Sequence, residues 1–176
     1  LGPEWLLDEG IIRPDYVICA GFAYGIVTAH DGALHLEVTV HGKQAHAAMP
    51  GTGVDALEAA TGILAALYAT RRSYAANVSA VAGIGSPQLN VGLIEGGINT
   101  NVVPDRVTFR LDRRIIPEER GATVEAELRA IVARTMAAYP RATAEVRRIM
   151  LAEPLTPMPG GEKLVGRLSR IGAEEM

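Results

Sequence analysis

Hydrophobic and polar positions alternate strictly from Ala33 to His41, with Leu34, Leu36, Val38 and Val40 on one side and His35, Glu37, Thr39 and His41 on the other. That is the period of a strand with one buried face. After Pro50-Gly51-Thr52-Gly53 the period changes: Val54, Leu57, Thr61, Leu64 and Leu67 recur at helical spacing. Asp55 falls in the first turn, where the helix dipole favours a negative charge, and the pattern predicts a helix to about Thr70. The stretch from Ser73 to Gln88 sustains no period and reads as a loop that admits a short strand at Asn77 to Ala82. Alternation returns at Leu89, Val91 and Leu93 before Gly96-Gly97, and again at Val107, Phe109 and Leu111 after Pro104-Asp105. Pro117, with Glu118 and Glu119 behind it, opens a second helix whose stripe of Val124, Leu128, Ile131 and Thr135 stops at Tyr139-Pro140. Thr143 to Met150 is the last strand.

The order strand, helix, strand, strand, helix, strand predicts an α+β fold, a ferredoxin-like βαββαβ sandwich with a four-stranded antiparallel sheet, both helices on one face and a polar opposite face. Residues 31–150 make up this unit, with Leu36, Val38, Leu57, Leu64, Val91, Phe109, Leu111, Leu128 and Ile131 expected in one core. Residues 1–30 and 151–176 stand outside the pattern. The first segment has no initiator Met and opens like the tail of a helix; the second runs from a Pro154 to Gly161 loop into a helix-like stretch through Leu164, Leu168 and Ile171. Both read as the cut ends of something larger.

Composition narrows the classes. The chain of 176 residues is 48% hydrophobic and 21% charged, which suits a globular domain and excludes a disordered one. Seventeen Lys and Arg against twenty Asp and Glu, scattered along the chain, leave a formal charge of -3 and no basic face for nucleic acid or anionic lipid. No window is long and apolar enough for a membrane span, and no signal-peptide pattern opens the chain. The single Cys19, in the apolar run from Tyr16 to Ala20, is expected to be a buried thiol in a reducing compartment, the cytoplasm.

Three places carry candidate chemistry. The four histidines lack metal-ligand spacing, and His35 and His41 fall on the polar side of the first strand. His46 differs, because it lies between a strand and a helix, where a loop side chain can reach a ligand or serve the loop itself. The second place is Gly96-Gly97-Ile98-Asn99-Thr100-Asn101, a hairpin whose Asn side chains either satisfy the backbone or meet a ligand. The third is Arg110, Asp112 and Arg114 at period two, suited either to internal ion pairing or to a carboxylate held by a guanidinium fork. The Gly-rich stretches lack the context of a nucleotide-binding loop.

Taken together, Val40 to Pro50, Gly53-Val54-Asp55-Ala56, Asn90 to Asp105 and Asp112-Arg113-Arg114-Ile115-Ile116-Pro117, in that order, resemble the lid, or dimerisation, domain of the zinc aminoacylase and carboxypeptidase family. Acetylornithine deacetylase, succinyl-diaminopimelate desuccinylase, glutamate carboxypeptidase and the aminoacylases belong to it. The likeness runs from about Pro3 to Arg148. It implies a parent hydrolase of N-acyl amino acids or peptides with two zinc ions in its catalytic domain, none of them held by this chain, and a homodimer formed through the lid. By the same resemblance His46 reaches the partner subunit's active site and stabilises the developing oxyanion, while Asn101 and Arg114 hold the substrate's carboxylate or acyl oxygens. One departure stands out: a carboxylate metal ligand is expected shortly after Asp15-Tyr16-Val17-Ile18, and Gly21 occupies about that place. A dimerising module without catalysis is the alternative reading.

Overall fold

The computed structural model describes residues 2–19 and 25–175 and divides into two compact units, one from Ala29 to Thr156 and one made of the flanking segments. The expectation at Gly21 lies outside the described residues. In the flanking unit, α1 (Pro3–Asp8) starts on a proline and α4 (Gly161–Glu175) carries the anticipated stripe, with Leu164, Val165 and Leu168 half-buried and Ile171 exposed. Cys19 is exposed, contrary to the buried thiol expected, because the segment that leads to it, with Tyr16, Val17 and Ile18 also exposed, enters no core of this unit.

The larger unit is the sandwich. Its strands are β1 (Gly32–His41), β2 (Ala45–His46), β3 (Gln88–Gly96), β4 (Val102–Val103), β5 (Arg106–Ile115) and β6 (Thr143–Ala152); its helices are α2 (Ala56–Ser73) and α3 (Gly121–Met136). The long strands form one antiparallel sheet in the order β3-β5-β1-β6. The helix α2 lies over β1, β5 and β3, and α3 over β1 and β6, so both cover one face. Leu34, Leu36, Val38 and Val40 interlock there with Val107, Phe109, Leu111, Ile63, Leu67, Val124 and Leu128. A backbone bridge between His30 and Leu155 closes the unit beyond the last paired residues of the sheet.

Four expectations shift. The buried stripe of α2 is Ala56, Ala59, Ala60, Ile63 and Leu67, whereas Leu57 is 45% exposed and Leu64 only half-buried. Both stripes have the helical period; alanines let the helix approach the sheet closely, which turns the bulkier leucines to its shoulder. Pro117 does not open α3. The helix begins at Gly121, where Glu153 accepts the amide N–H of Gly121 at 3.1 Å and the Leu151 side chain of β6 packs close over the glycine. Residues 77–82 form no strand: a 3-10 turn at Tyr74–Ala76 leads into bends. Finally, a bulge between Val91 and Leu93 reverses the phase of β3, so that Leu93 stands opposite Arg110 on the open face and Ile94 takes the place opposite Phe109.

The open face is polar. Glu37 sits in register between Arg110 of β5 and Arg147 of β6 and is bound by both, at 2.8 and 2.9 Å. Hydrogen bonds from Arg147 and then Arg110 hold its carboxyl below the usual glutamate range, against the opposing effect of desolvation.

Candidate functional site

The segment that carries His46 is built as a closed loop. Lys43 and Val54 exchange both backbone hydrogen bonds, at 2.8 and 2.9 Å, and Gly42 and Gly53 flank that bridge. An added Cβ on Gly42 would lie 2.1 Å from the Val54 carbonyl oxygen, so the two legs of the loop meet only because this position has no side chain. One flank pairs with the hairpin that carries Asn101: β2 runs antiparallel to β4, with His46 opposite Val102, and the Ala47 N–H donates to the Asn101 carbonyl at 2.9 Å. The other flank is held by the Arg141 guanidinium, which donates to the Gly53 carbonyl across a cavity of about 410 Å³ lined by Pro50, Asp55, Glu58 and Tyr139. The hairpin turns at Gly97, whose φ of +75° favours glycine, and the Asn99 side chain accepts the Thr100 N–H at 2.7 Å.

His46 itself is exposed, and its Nδ1 accepts the Ala48 N–H at 3.1 Å. An accepting Nδ1 leaves the proton of the neutral ring on Nε2, so the imidazole presents a hydrogen-bond donor outward. The exposed Asn101 stands beside it, in the turn that leads into β4, with its carbonyl accepting the Ala47 N–H.

Arg114 lies elsewhere. It pairs with Gln88 and Ala33, eight residues along β5 from Arg106, the partner of His41. At about 3.3 Å per residue that is about 26 Å, so the sheet separates Arg114 from the loop end. The structure thus brings His46 and Asn101 together and places Arg114 at the opposite end of the sandwich. There, Arg114 donates through Nη2 and Nε to one oxygen of Asp112, at 2.9 and 3.1 Å, and His35 Nε2 lies 3.6 Å from the same oxygen. Half the Arg114 side chain faces solvent.

A neighbouring cluster went unnoticed in the sequence. Arg113 is 1% exposed, stacked 4.3 Å above the Tyr74 ring and paired with Glu119 at 2.6 Å. The signal was present, since Arg113 falls in phase with Val107, Phe109, Leu111 and Ile115 on the apolar side of the alternation. Glu118 accepts from the Ser79 hydroxyl at 3.0 Å and the Ala80 N–H at 2.7 Å. Desolvation pushes its pKa upward, but these hydrogen bonds prevail and hold the carboxyl below the usual range. Both glutamates expected to start a helix are therefore engaged elsewhere, Glu118 with the loop after α2 and Glu119 with the end of β5.

Residues 28–140 match the sequence profile of the peptidase dimerisation domain. The chain is 33% identical over 124 residues to the probable carboxypeptidase of Uncinocarpus reesii, a match covering 69% of this chain and 27% of that protein. Among solved structures it resembles a Burkholderia cenocepacia protein described as an amidohydrolase/peptidase, with a TM-score of 0.62 and 28% identity over 83% of this chain and 34% of the other. It also resembles a hydantoinase/carbamoylase family amidase from Burkholderia multivorans, with a TM-score of 0.58 and 26% identity over 82% and 34% of the two chains. The chain therefore spans about a third or less of the proteins it matches.

Proposed function

We propose, because this chain belongs to the peptidase dimerisation domain family, that it is the lid and homodimerisation domain of a cytoplasmic zinc amidohydrolase that cleaves N-acyl amino acids or peptides. The carboxypeptidase and amidase descriptions of the proteins it resembles support the reaction class. Among the described residues no three His, Cys, Asp or Glu side chains converge. Any zinc is held by the catalytic domain of the parent, where it would supply the Lewis acid and the activated water.

The observation that carries the reading is the placement of the candidate groups at opposite ends of one sheet. A single active site cannot draw on both ends of a protomer separated by about 26 Å of strand. In a two-fold dimer it can take Arg114 from one lid and His46, with Asn101 beside it, from the other. His46 donates Nε2–H to the oxyanion that forms on the scissile carbonyl, Asn101 donates to an acyl oxygen, and Arg114 holds the substrate's carboxylate. The β3 edge suits the dimer contact: Leu93 and Ile94 on it are 61% and 54% exposed, and Leu57 of the adjacent α2 is 45% exposed.

The test is complementation in the full-length parent. His46→Ala is expected to lower turnover by roughly 10²–10³, the scale of one lost oxyanion donor, with metal content and folding intact. Mixing it with a subunit inactivated at its metal site restores activity if His46 acts in trans. A fully active His46→Ala parent favours the dimerising module without a catalytic part, and heterodimers that form without activity refute the trans arrangement.

A further inference from the structure

Position 113 holds a charge where the strand pattern calls for a hydrocarbon. Its neighbours in phase, Leu111 and Ile115, are buried in the core, and Arg113 is buried with them. A charged group in such a place costs more than an apolar one of equal size unless its donors are met. Here both terminal nitrogens of the guanidinium are partnered and its plane is stacked. Tyr74, just past the end of α2, lies under the guanidinium plane. Glu119 takes Nη2 through Oε1, and its other oxygen accepts the Ile116 N–H at 3.1 Å. Nη1 donates to the main-chain carbonyl of Arg114, while Nε has no partner.

That last contact joins the cluster to the site at this end of the sheet. Holding the Arg114 carbonyl fixes the peptide plane from which the Arg114 side chain departs on the opposite face, where Asp112 already orients its guanidinium. A hydrocarbon at 113 could fill the same volume without holding that carbonyl. Lysine could not replace the fork, which meets a carboxylate, a carbonyl and a ring face at once.

We propose that Arg113 is a positioning residue: the buried Tyr74–Arg113–Glu119 cluster sets Arg114 to receive a substrate carboxylate. The inference rests on the reading of Arg114 given above. The experiment uses the full-length parent with an N-acetyl amino acid and its C-terminal carboxamide as paired probes. Arg114→Ala first measures how much of the preference for the free carboxylate this residue supplies. Arg113→Met and Glu119→Gln are then expected to raise KM for the carboxylate probe about tenfold, with kcat nearly unchanged and the carboxamide unaffected, the scale of one charge-assisted contact. Arg113→Lys is expected not to rescue. Cooperative unfolding of each variant separates this effect from loss of the fold, and Glu119→Gln, which keeps the shape of the cluster, serves if Arg113→Met does not fold. If Arg114→Ala abolishes the preference while folded Arg113→Met and Glu119→Gln keep it, the positioning role is wrong and the Arg114 reading stands. If Arg114→Ala keeps the preference, or neither probe is hydrolysed by the wild-type parent, the reading of Arg114 itself falls.

Discussion

Phe109 lies at the centre of the sandwich, in register between Val38 of β1 and Ile94 of β3, and is fully buried. An aromatic ring in a core buries roughly 150–250 Å², and losing most of the lower figure at about 25 cal/mol per Å² costs about 3 kcal/mol. Truncation to alanine also leaves a void. The core cluster that holds Phe109, with Leu36, Val38, Ile63 and Leu111 among its members, is built on strands and a helix, so it relaxes little into the void. Phe109→Ala is therefore expected to destabilise the unit by about 4–5 kcal/mol, the upper part of the range for this substitution. Urea unfolding followed by far-UV circular dichroism measures it: with a slope near 2 kcal/mol per M, the midpoint falls by about 2 M at unchanged slope. Fluorescence of the single Trp5 is the wrong probe, because that residue belongs to the other compact unit. Ile94→Ala, opposite Phe109 on the exposed edge, is the control and should cost about 0.5 kcal/mol or less, with any excess that depends on protein concentration reporting the dimer. A loss below about 1 kcal/mol for Phe109→Ala would refute the assignment of the core face.

Other perturbations test separate parts of the molecule. The stability that Glu37 contributes through its lowered pKa is present at neutral pH and is lost as the pH falls below 4.5, so Glu37→Gln should flatten the acid side of a stability-pH profile, and an unchanged profile counts against the Arg110–Glu37–Arg147 row. Asp55 caps α2 by accepting the N–H groups of Leu57 and Glu58 at 2.8 and 3.1 Å, and Asp55→Ala should cost about 1 kcal/mol in thermal or urea unfolding. Gly42→Ala sets a methyl group against the Val54 carbonyl and should cost about 1–3 kcal/mol, with faster amide exchange at Lys43 and Val54 as the loop carrying His46 loosens; unchanged exchange there would show that the loop is held by its hairpin partner alone.

Local pattern reached far into this protein. Period-two alternation at Ala33 to His41 and at Val107 to Leu111 marks strands because side chains on a pleated ribbon alternate between core and solvent, and no distant residue is needed to see it. The motif segments around His46, Asn101 and Arg114 were legible for a related reason, since a chemical group in a turn or at a strand end is recorded in sequence even when its neighbours in space are not. Tertiary structure decided what depends on partners. Which stripe of α2 faces inward was settled by the close approach that Ala56, Ala59 and Ala60 permit, a matter of packing that helical period leaves open. Glu118 and Glu119 favour a helix start in isolation, but Ser79, Ala80 and Arg113 claim their carboxylates and delay α3 to Gly121. A one-residue bulge, silent in composition, moved Leu93 to the polar face, because the side-chain period of a strand is two and a single insertion reverses everything after it. Strand pairing likewise set His46 beside Asn101 and put the length of β5 between them and Arg114, a distance determined by register and topology that spacing along the chain does not encode.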